Sequence, residues 1–387
     1  MSVELVGFGL DNKKLIKKFV KFSWKHYSKE EKYIPQLNGE LLGNKLLGMK
    51  GLLTPEHPYH KNAEVYHWLA YREKKIVGRI SASINKTYNQ HHSTNIGNFG
   101  FFESIKDDEV GHALFNAAAG WLKERGIDTM RGPGNYGNAT HEVQSWAMNS
   151  FQDPPTIELT MSKWWYPKMA ERFGMVKAKD YYAYLNPVQS IDWDRDNKLL
   201  DRMLKRSSLS IRKMDMKNIK SEVDIILHIY NQAWKDNWGF LPLTSDEGQV
   251  MAETLKLVAD PNLMLFVMDG DREVAVIGTL LDLNEKFLRR KSIFGNSDIV
   301  RLLRFFIEKK SITRSRIMFF GILPEYRKTG IDAMVLFKTR NYLYESTKVR
   351  AVDASLVLEE NMVLRNLFGH FGGIEYKKFR IYDYALK

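Results

Sequence analysis

The chain has 387 residues, no cysteine, 58 Lys and Arg against 46 Asp and Glu, and a formal net charge of +12. A length of this order suggests two domains, each able to bury its own core. The lack of cysteine excludes disulfides, thiolate metal sites and cysteine nucleophiles. No apolar run approaches the roughly 18 residues of a membrane span or resembles a signal-peptide core, so the expected location is cytoplasmic.

Lys13 to Lys25 repeats apolar residues at helical spacing beside a lysine-rich face, and Glu64 to Arg72, Lys75 to Ile84 and Ile96 to Glu103 read as three strands. Val110 to Glu124 predicts a helix, Asp128 to Gly132 a short strand, Trp164 to Phe173 a helix and Met175 to Leu185 a terminal strand. His91-His92, His112 and His141 suggest no metal, because adjacent histidines point apart on a strand and no carboxylate nearby has ligand spacing. Trp164, Trp165 and Tyr166, with Trp146, either pack in the core or line an apolar pocket.

In the second half, Ile225 to Trp234 and Ser245 to Val258 read as helices, the latter with Thr244 or Ser245 as N-cap. Leu263 to Met268 and Val274 to Leu283 read as strands joined by Asp269-Gly270-Asp271. Asp298 to Glu308 predicts a helix within a segment, 286–316, that carries ten basic residues against Asp298 and Glu308. That segment is either a solvated face or an electrostatic surface for an anionic acceptor, a tRNA or a lipid head group. The apolar run 317–323 predicts a strand, followed by the basic loop Pro324 to Gly330 and a helix from Ala333 to Tyr344. Ala351 to Leu358 then reads as strand, Asn361 to Phe371 as helix and Ile374 to Leu386 as a closing strand.

A helix that starts just after a strand and a glycine loop aims unpaired N–H groups and its positive dipole end at one spot, which suits a pyrophosphate. Gly330 permits a positive φ there, and Arg327 and Lys328 add charge. The spacing matches neither a Walker loop nor a three-glycine dinucleotide fingerprint.

The stretch Arg327-Lys328-Thr329-Gly330-Ile331-Asp332 does resemble the acyl-CoA loop Q/R-x-x-G-x-G/A of the GNAT acyltransferase superfamily, with Asp332 where Gly or Ala is usual. Further phrases resemble a bacterial family of tandem GNAT proteins across nearly the whole chain. They are Ala70-Tyr71-Arg72, Val77-Gly78-Arg79-Ile80, Phe99-Gly100-Phe101-Phe102-Glu103, Arg131-Gly132-Pro133, Leu358-Glu359-Glu360-Asn361 and Phe379-Arg380-Ile381-Tyr382. The resemblance implies an α/β (α+β) fold of two GNAT-like domains, each a mixed, mostly antiparallel twisted sheet flanked by helices. The expected division is 1–188, a linker 189–210, and 211–387.

The implied chemistry is direct acyl transfer from acetyl-CoA or another acyl-CoA to a small-molecule or peptide amine, without metal. Cofactor contacts are expected from Ile322, Leu323, Arg327, Lys328, Thr329, Gly330, Ile331, Asp332 and Asn361, with backbone donors near Ile322 and Leu323 polarising the thioester. Asn361 reads equally as a helix cap. Glu359 or Glu360, at the end of the fifth strand, is the expected base. Where the family carries a tyrosine acid, this chain has Phe368. The first copy has Glu103, Asp107, Asp108 and Glu109 and no glycine in its loop, which would repel a pyrophosphate. The loop 132–138 is expected to face the acceptor. Two other readings stay open: an aminoacyl- or long-chain acyltransferase using charged tRNA or lipid, and a non-catalytic binding descendant.

Overall fold

The computed structural model describes residues 2–30, 32–136, 144–159, 161–189, 193–288 and 296–386. Two compact units emerge: residues 1–180, 287–300 and 377–387 form the first, and residues 181–286 and 301–376 the second.

The first unit contains strands β1 (Glu4–Phe8), β2 (Ala63–Arg72), β3 (Lys75–Asn85), β4 (Ile96–Ser104), β5 (Thr129–Gly132), the short β6 (Trp146–Ala147) and the start of β7 (Val176–Pro187). Its helices are α1 (Lys13–His26), α2 (Asn38–Leu42), α3 (Lys86–His92), α4 (Asp108–Lys123) and α5 (Trp165–Phe173). The second contains α6 (Trp193–Arg206), β8 (Leu209–Lys213), α7 (Ile219–Ala233), α8 (Ser245–Val258), β9 (Met264–Asp269), β10 (Arg272–Leu281) and the one-turn α9 (Asn284–Phe287). Helix α10 (Asp298–Glu308), β11 (Arg314–Ile322), α11 (Ile331–Ser346), β12 (Ala351–Leu358), α12 (Met362–His370) and β13 (Ile374–Ala385) complete the chain.

In the first unit β1, β2, β3 and β4 pair antiparallel in chain order, β4 pairs parallel with β5, and β5 pairs antiparallel with β13. Alternation sends successive side chains to opposite faces. Trp68 and Ala70 join a core with Phe99, Leu114, Phe115 and Met169 of β4, α4 and α5, whereas Leu69 faces Phe19, Val20 and Tyr136 on the other side. The second unit repeats the order: β8, β9, β10 and β11 antiparallel, β11 parallel with β12, and β12 antiparallel with β7.

Thus the strand closing the first sheet is the last of the chain, and the second sheet is closed by β7. The sequence division at 188 and 211 differs from these units for that reason. The segment 189–210 also proves to be more than a linker: α6 packs Leu200 on Met334 and Phe337 of α11, and Arg340 Nη2 donates to the Asp196 carboxylate at 2.8 Å. His91 and His92 end helix α3 instead of lying on a strand, and His141 falls outside the described residues.

Candidate active site

In the second unit the parallel pairing of β11 with β12 covers Arg314–Ile317 against Ala351–Ala354, after which β11 runs on to Ile322 paired with β10. The two parallel strands therefore part and leave a wedge. At its apex the buried Arg316 donates from Nε to Ser355 Oγ at 3.1 Å and from Nη2 to Ser355 O at 3.0 Å. The β10–β11 register shifts so that Gly278 faces Phe319 and Thr279 faces Ile317, leaving Met318 as a bulge residue. A bulge residue lies outside the regular ladder.

Beyond the wedge the loop reverses into α11. Gly330 caps α11 with φ 86° and ψ 3°, and the preceding Lys328 also has a positive φ of 64°. Successive N–H groups at such a start form a cradle for an anion. Lys328 is exposed. The other loop side chains are engaged within the fold: Arg327 Nη2 donates to the Ala233 carbonyl that ends α7 at 2.6 Å, and Thr329 Oγ1 donates to Tyr326 O at 2.6 Å. Asp332 Oδ1 accepts the Ala333 N–H at 2.9 Å, so its carboxylate occupies the first turn. Ile331 is fully buried. A Cβ on Gly330 would meet Met203 Cε of α6 at 2.7 Å. Backbone shape and Lys328 fit a phosphorylated group; Asp332 opposes it.

The remaining expected residues are placed as follows. Ile322 ends β11 opposite Ala275, and the Leu323 N–H donates to Val274 O at 3.0 Å, so that donor is committed to the sheet. Glu359 and Glu360 follow the end of β12; the Glu359 carbonyl accepts from Arg365 Nη1 at 3.1 Å, and Glu360 is exposed. The Asn361 side chain accepts the Leu364 N–H at 3.1 Å and caps α12. Phe368 is buried, its ring 6.1 Å from that of Tyr184.

In the first unit the corresponding wedge is filled by its own chain. The β4–β5 pairing covers Ile96–Asn98 against Thr129–Arg131. Past it the Gly134 N–H donates to Phe99 O at 2.9 Å, and Asn135 Oδ1 accepts the Phe101 N–H at 2.8 Å. The described part of the 132–138 loop is thus buried on β4, with Tyr136 fully enclosed; Gly137 and Asn138 lie outside the described residues. At the start of α4, Asp107 caps the Glu109 N–H, and Arg72 holds Asp107 and Glu109 at 2.6 and 2.7 Å. Acidic side chains take the place a pyrophosphate would need.

A buried polar set stands at the end of β4: Glu103, expected in the loop as an acid repelling a pyrophosphate, lies in the strand with its side chain 12% exposed and meets Tyr166 and His26. Tyr166 OH donates to Glu103 Oε2 at 2.7 Å, and His26 Nε2 lies 2.8 Å from the same hydroxyl and 3.7 Å from Glu103. Arg79 Nη2 is 3.7 Å from Glu103 Oε1. Burial raises the Glu103 pKa against the opposing Arg79 charge, and burial, with Lys163 and Arg79, lowers that of His26 to about 3. Trp146 and Tyr166 are buried core among Phe102 and Phe115, Trp165 packs half-buried against them, and Trp164 is exposed. The signal available in sequence was Glu103 closing an otherwise apolar strand.

The basic segment turns partly inward. Arg301 and Arg316 are buried and Arg314 bridges Asp282 at 2.6 Å, whereas Lys309 and Lys310 are exposed; Arg289, Arg290 and Lys291 lie outside the described residues.

No protein-family profile matches the chain. The bacterial ceramide synthase of Caulobacter vibrioides (strain NA1000 / CB15N) is 30% identical over 342 residues, 86% of this chain and 87% of its own. Protein YghO of Escherichia coli (strain K12) is 27% identical over 382 residues, 96% of this chain and 93% of its own. Among solved structures, a tandem GNAT protein from the clavulanic acid biosynthesis pathway matches with a TM-score of 0.56 at 8% identity, covering 100% of this chain and 99% of its own. A GCN5-related N-acetyltransferase from Sphaerobacter thermophilus matches at 0.50 and 11%, covering 100% and 96%. These structures share the fold of this chain. By its sequence relationship the chain belongs to the family of the bacterial ceramide synthase, and its fold is that of GCN5-related N-acetyltransferases.

Proposed function

We propose that the protein is an N-acyltransferase that joins an acyl group from a coenzyme A thioester to the amine of a long-chain amino alcohol. The observation that carries the reading is the wedge between β11 and β12, which opens toward the Gly330-capped start of α11. The acceptor class is drawn from the relative named a ceramide synthase, since a ceramide is an amide of a long-chain amino alcohol.

Lys328 and the first-turn N–H groups of α11 would hold the phosphates. When bound, the thioester supplies an activated carbonyl. The Met318 N–H, at the bulge, is the donor suited to its oxygen, a role the committed Leu323 N–H does not fill. Glu360, exposed past the end of β12, would take the proton that frees the amine for attack; the C–N bond forms as C–S breaks. Phe368 has no proton to give, so the thiolate takes its proton from water.

A second reading is favoured by the Glu103–Tyr166–His26 set, which would place proton transfer in the first unit. The filled wedge there weighs against it.

The test is calorimetric titration of acetyl- and long-chain acyl-CoA, beside mass-spectrometric detection of amide from long-chain amino alcohols. Wild type is expected to bind and turn over, and Gly330→Glu to lose both. Turnover that survives in Gly330→Glu but is lost in Glu103→Gln moves the site to the first unit. No binding of any acyl-CoA overturns the proposal.

A further inference from the structure

Helix α10 carries an apolar face that the fold leaves in solvent. Its inward side is fixed: the buried Asp298 carboxylate accepts the Asn38 N–H at 2.9 Å and the Gly39 N–H at 2.6 Å, and Leu302 and Phe305 are buried. On the outward side Ile299, Leu303, Phe306 and Ile307 follow at helical spacing and are 49, 54, 46 and 80% exposed, with Val300 beside them. Single exposed apolar residues are ordinary, but five on a helix of 11 residues make a patch.

The charge around this patch is positive. The helix runs directly into Lys309 and Lys310, both exposed, and Lys309 Nζ sits 5.9 Å from the centre of the Phe306 ring. Arg304 lies half-buried on the helix itself. Of the two acids, Asp298 is buried and Glu308 is 3.9 Å from Lys286. An apolar ridge about 16 Å long with lysines at its end matches a helix lying in a membrane interface, its side chains among acyl chains and its cations at phosphate level. No helix among the described residues is long and apolar enough to cross a membrane, so the contact would be with one leaflet.

We infer that α10 docks the protein on a bilayer surface bearing anionic headgroups. The inference goes beyond the acyl-transfer reading and does not depend on it, because binding is measured without turnover. The experiment is co-sedimentation with vesicles of phosphatidylcholine alone and with phosphatidylglycerol added, at low and high salt. Wild type is expected to sediment with the anionic vesicles, more weakly in high salt. Leu303→Glu/Phe306→Glu/Ile307→Glu should abolish binding, and Lys309→Glu/Lys310→Glu should weaken it about tenfold or more. All five side chains are exposed, so circular dichroism and the thermal midpoint should stay at the wild-type values. The inference is overturned if wild type ignores anionic vesicles, or if the triple variant sediments like wild type. A wild-type dimer in light scattering that the triple variant dissociates, with no vesicle binding, assigns the face to a second copy instead.

Discussion

Asp332 sets two demands against each other at one position. A carboxylate in the first helical turn stabilises α11 through the dipole and its bond to the Ala333 N–H, yet it lies where the proposed site would hold phosphates. Asp332→Ala is therefore expected to lower the thermal midpoint slightly and to tighten acyl-CoA binding about fivefold at low salt, a gain of about 1 kcal/mol; calorimetry beside a melting curve reads both. His67 offers a test by pH. It is fully buried, 2.6 Å from Tyr136 OH, and burial lowers its pKa from 6.5 to about 3. The folded state thus favours the neutral ring, so its contribution is complete above pH 6.5 and is lost as pH falls toward 3. Urea titrations should show stability falling through that window, and His67→Gln should lower the slope by about 1.4 kcal/mol per pH unit. The loop glycine and its cations were legible in sequence because one short segment contains them. Glu103, Tyr166 and His26 were not, because their meeting depends on α1 and α5 arriving at the end of β4.

At the scale of elements, two helices were read to the residue, whereas α4 and α11 each start two residues earlier than expected. Helix α8 begins where Thr244 and Glu247 exchange bonds in a capping box, and α10 covers the expected Asp298–Glu308. Strand β12 likewise spans Ala351–Leu358 as expected. Helix α6 was read as a linker because charged residues fill most of it, although Leu200, Met203 and Leu204 recur at helical spacing and pack on α11. The filled wedge on β4 was equally hidden, since it depends on backbone approach. A Cβ on Gly100 would stand 2.1 Å from Gly134 O. Gly100→Ala is expected to cost about 3 kcal/mol, a clash with backbone that cannot be relieved by a rotamer change. Equilibrium unfolding that shows a loss below half that figure would mean the segment at 133–136 is held less firmly than its bonds suggest.

For the whole molecule, the decisive fact is which strand closes which sheet. Tyr382–Ala385 of β13 pairs with Thr129–Gly132, Arg131 pairs with Asp383 at 2.8 Å, and Arg380 holds the Asp180 carboxylate at 2.7 Å. A chain ending at residue 188 would leave β5 as a bare edge and Asp180 without Arg380. It is expected to aggregate or to show no cooperative melting, and the chain lacking 377–387 is expected to lose protection in the first unit by hydrogen exchange. Cooperative, monomeric folding of 1–188 would count against this account. Sequence alone determined the repeated order of helices and strands, the glycine loop at 327–332 and the acidic start of α4, because periodicity, caps and local charge act over a few residues. Only the tertiary structure decided that the closing strands come from distant parts of the chain, that one wedge is filled and the other parts at Ile317, that Leu323 spends its N–H on the sheet, and that α10 faces outward. Each of those depends on pairing and burial between segments far apart in the chain, which local preference does not specify.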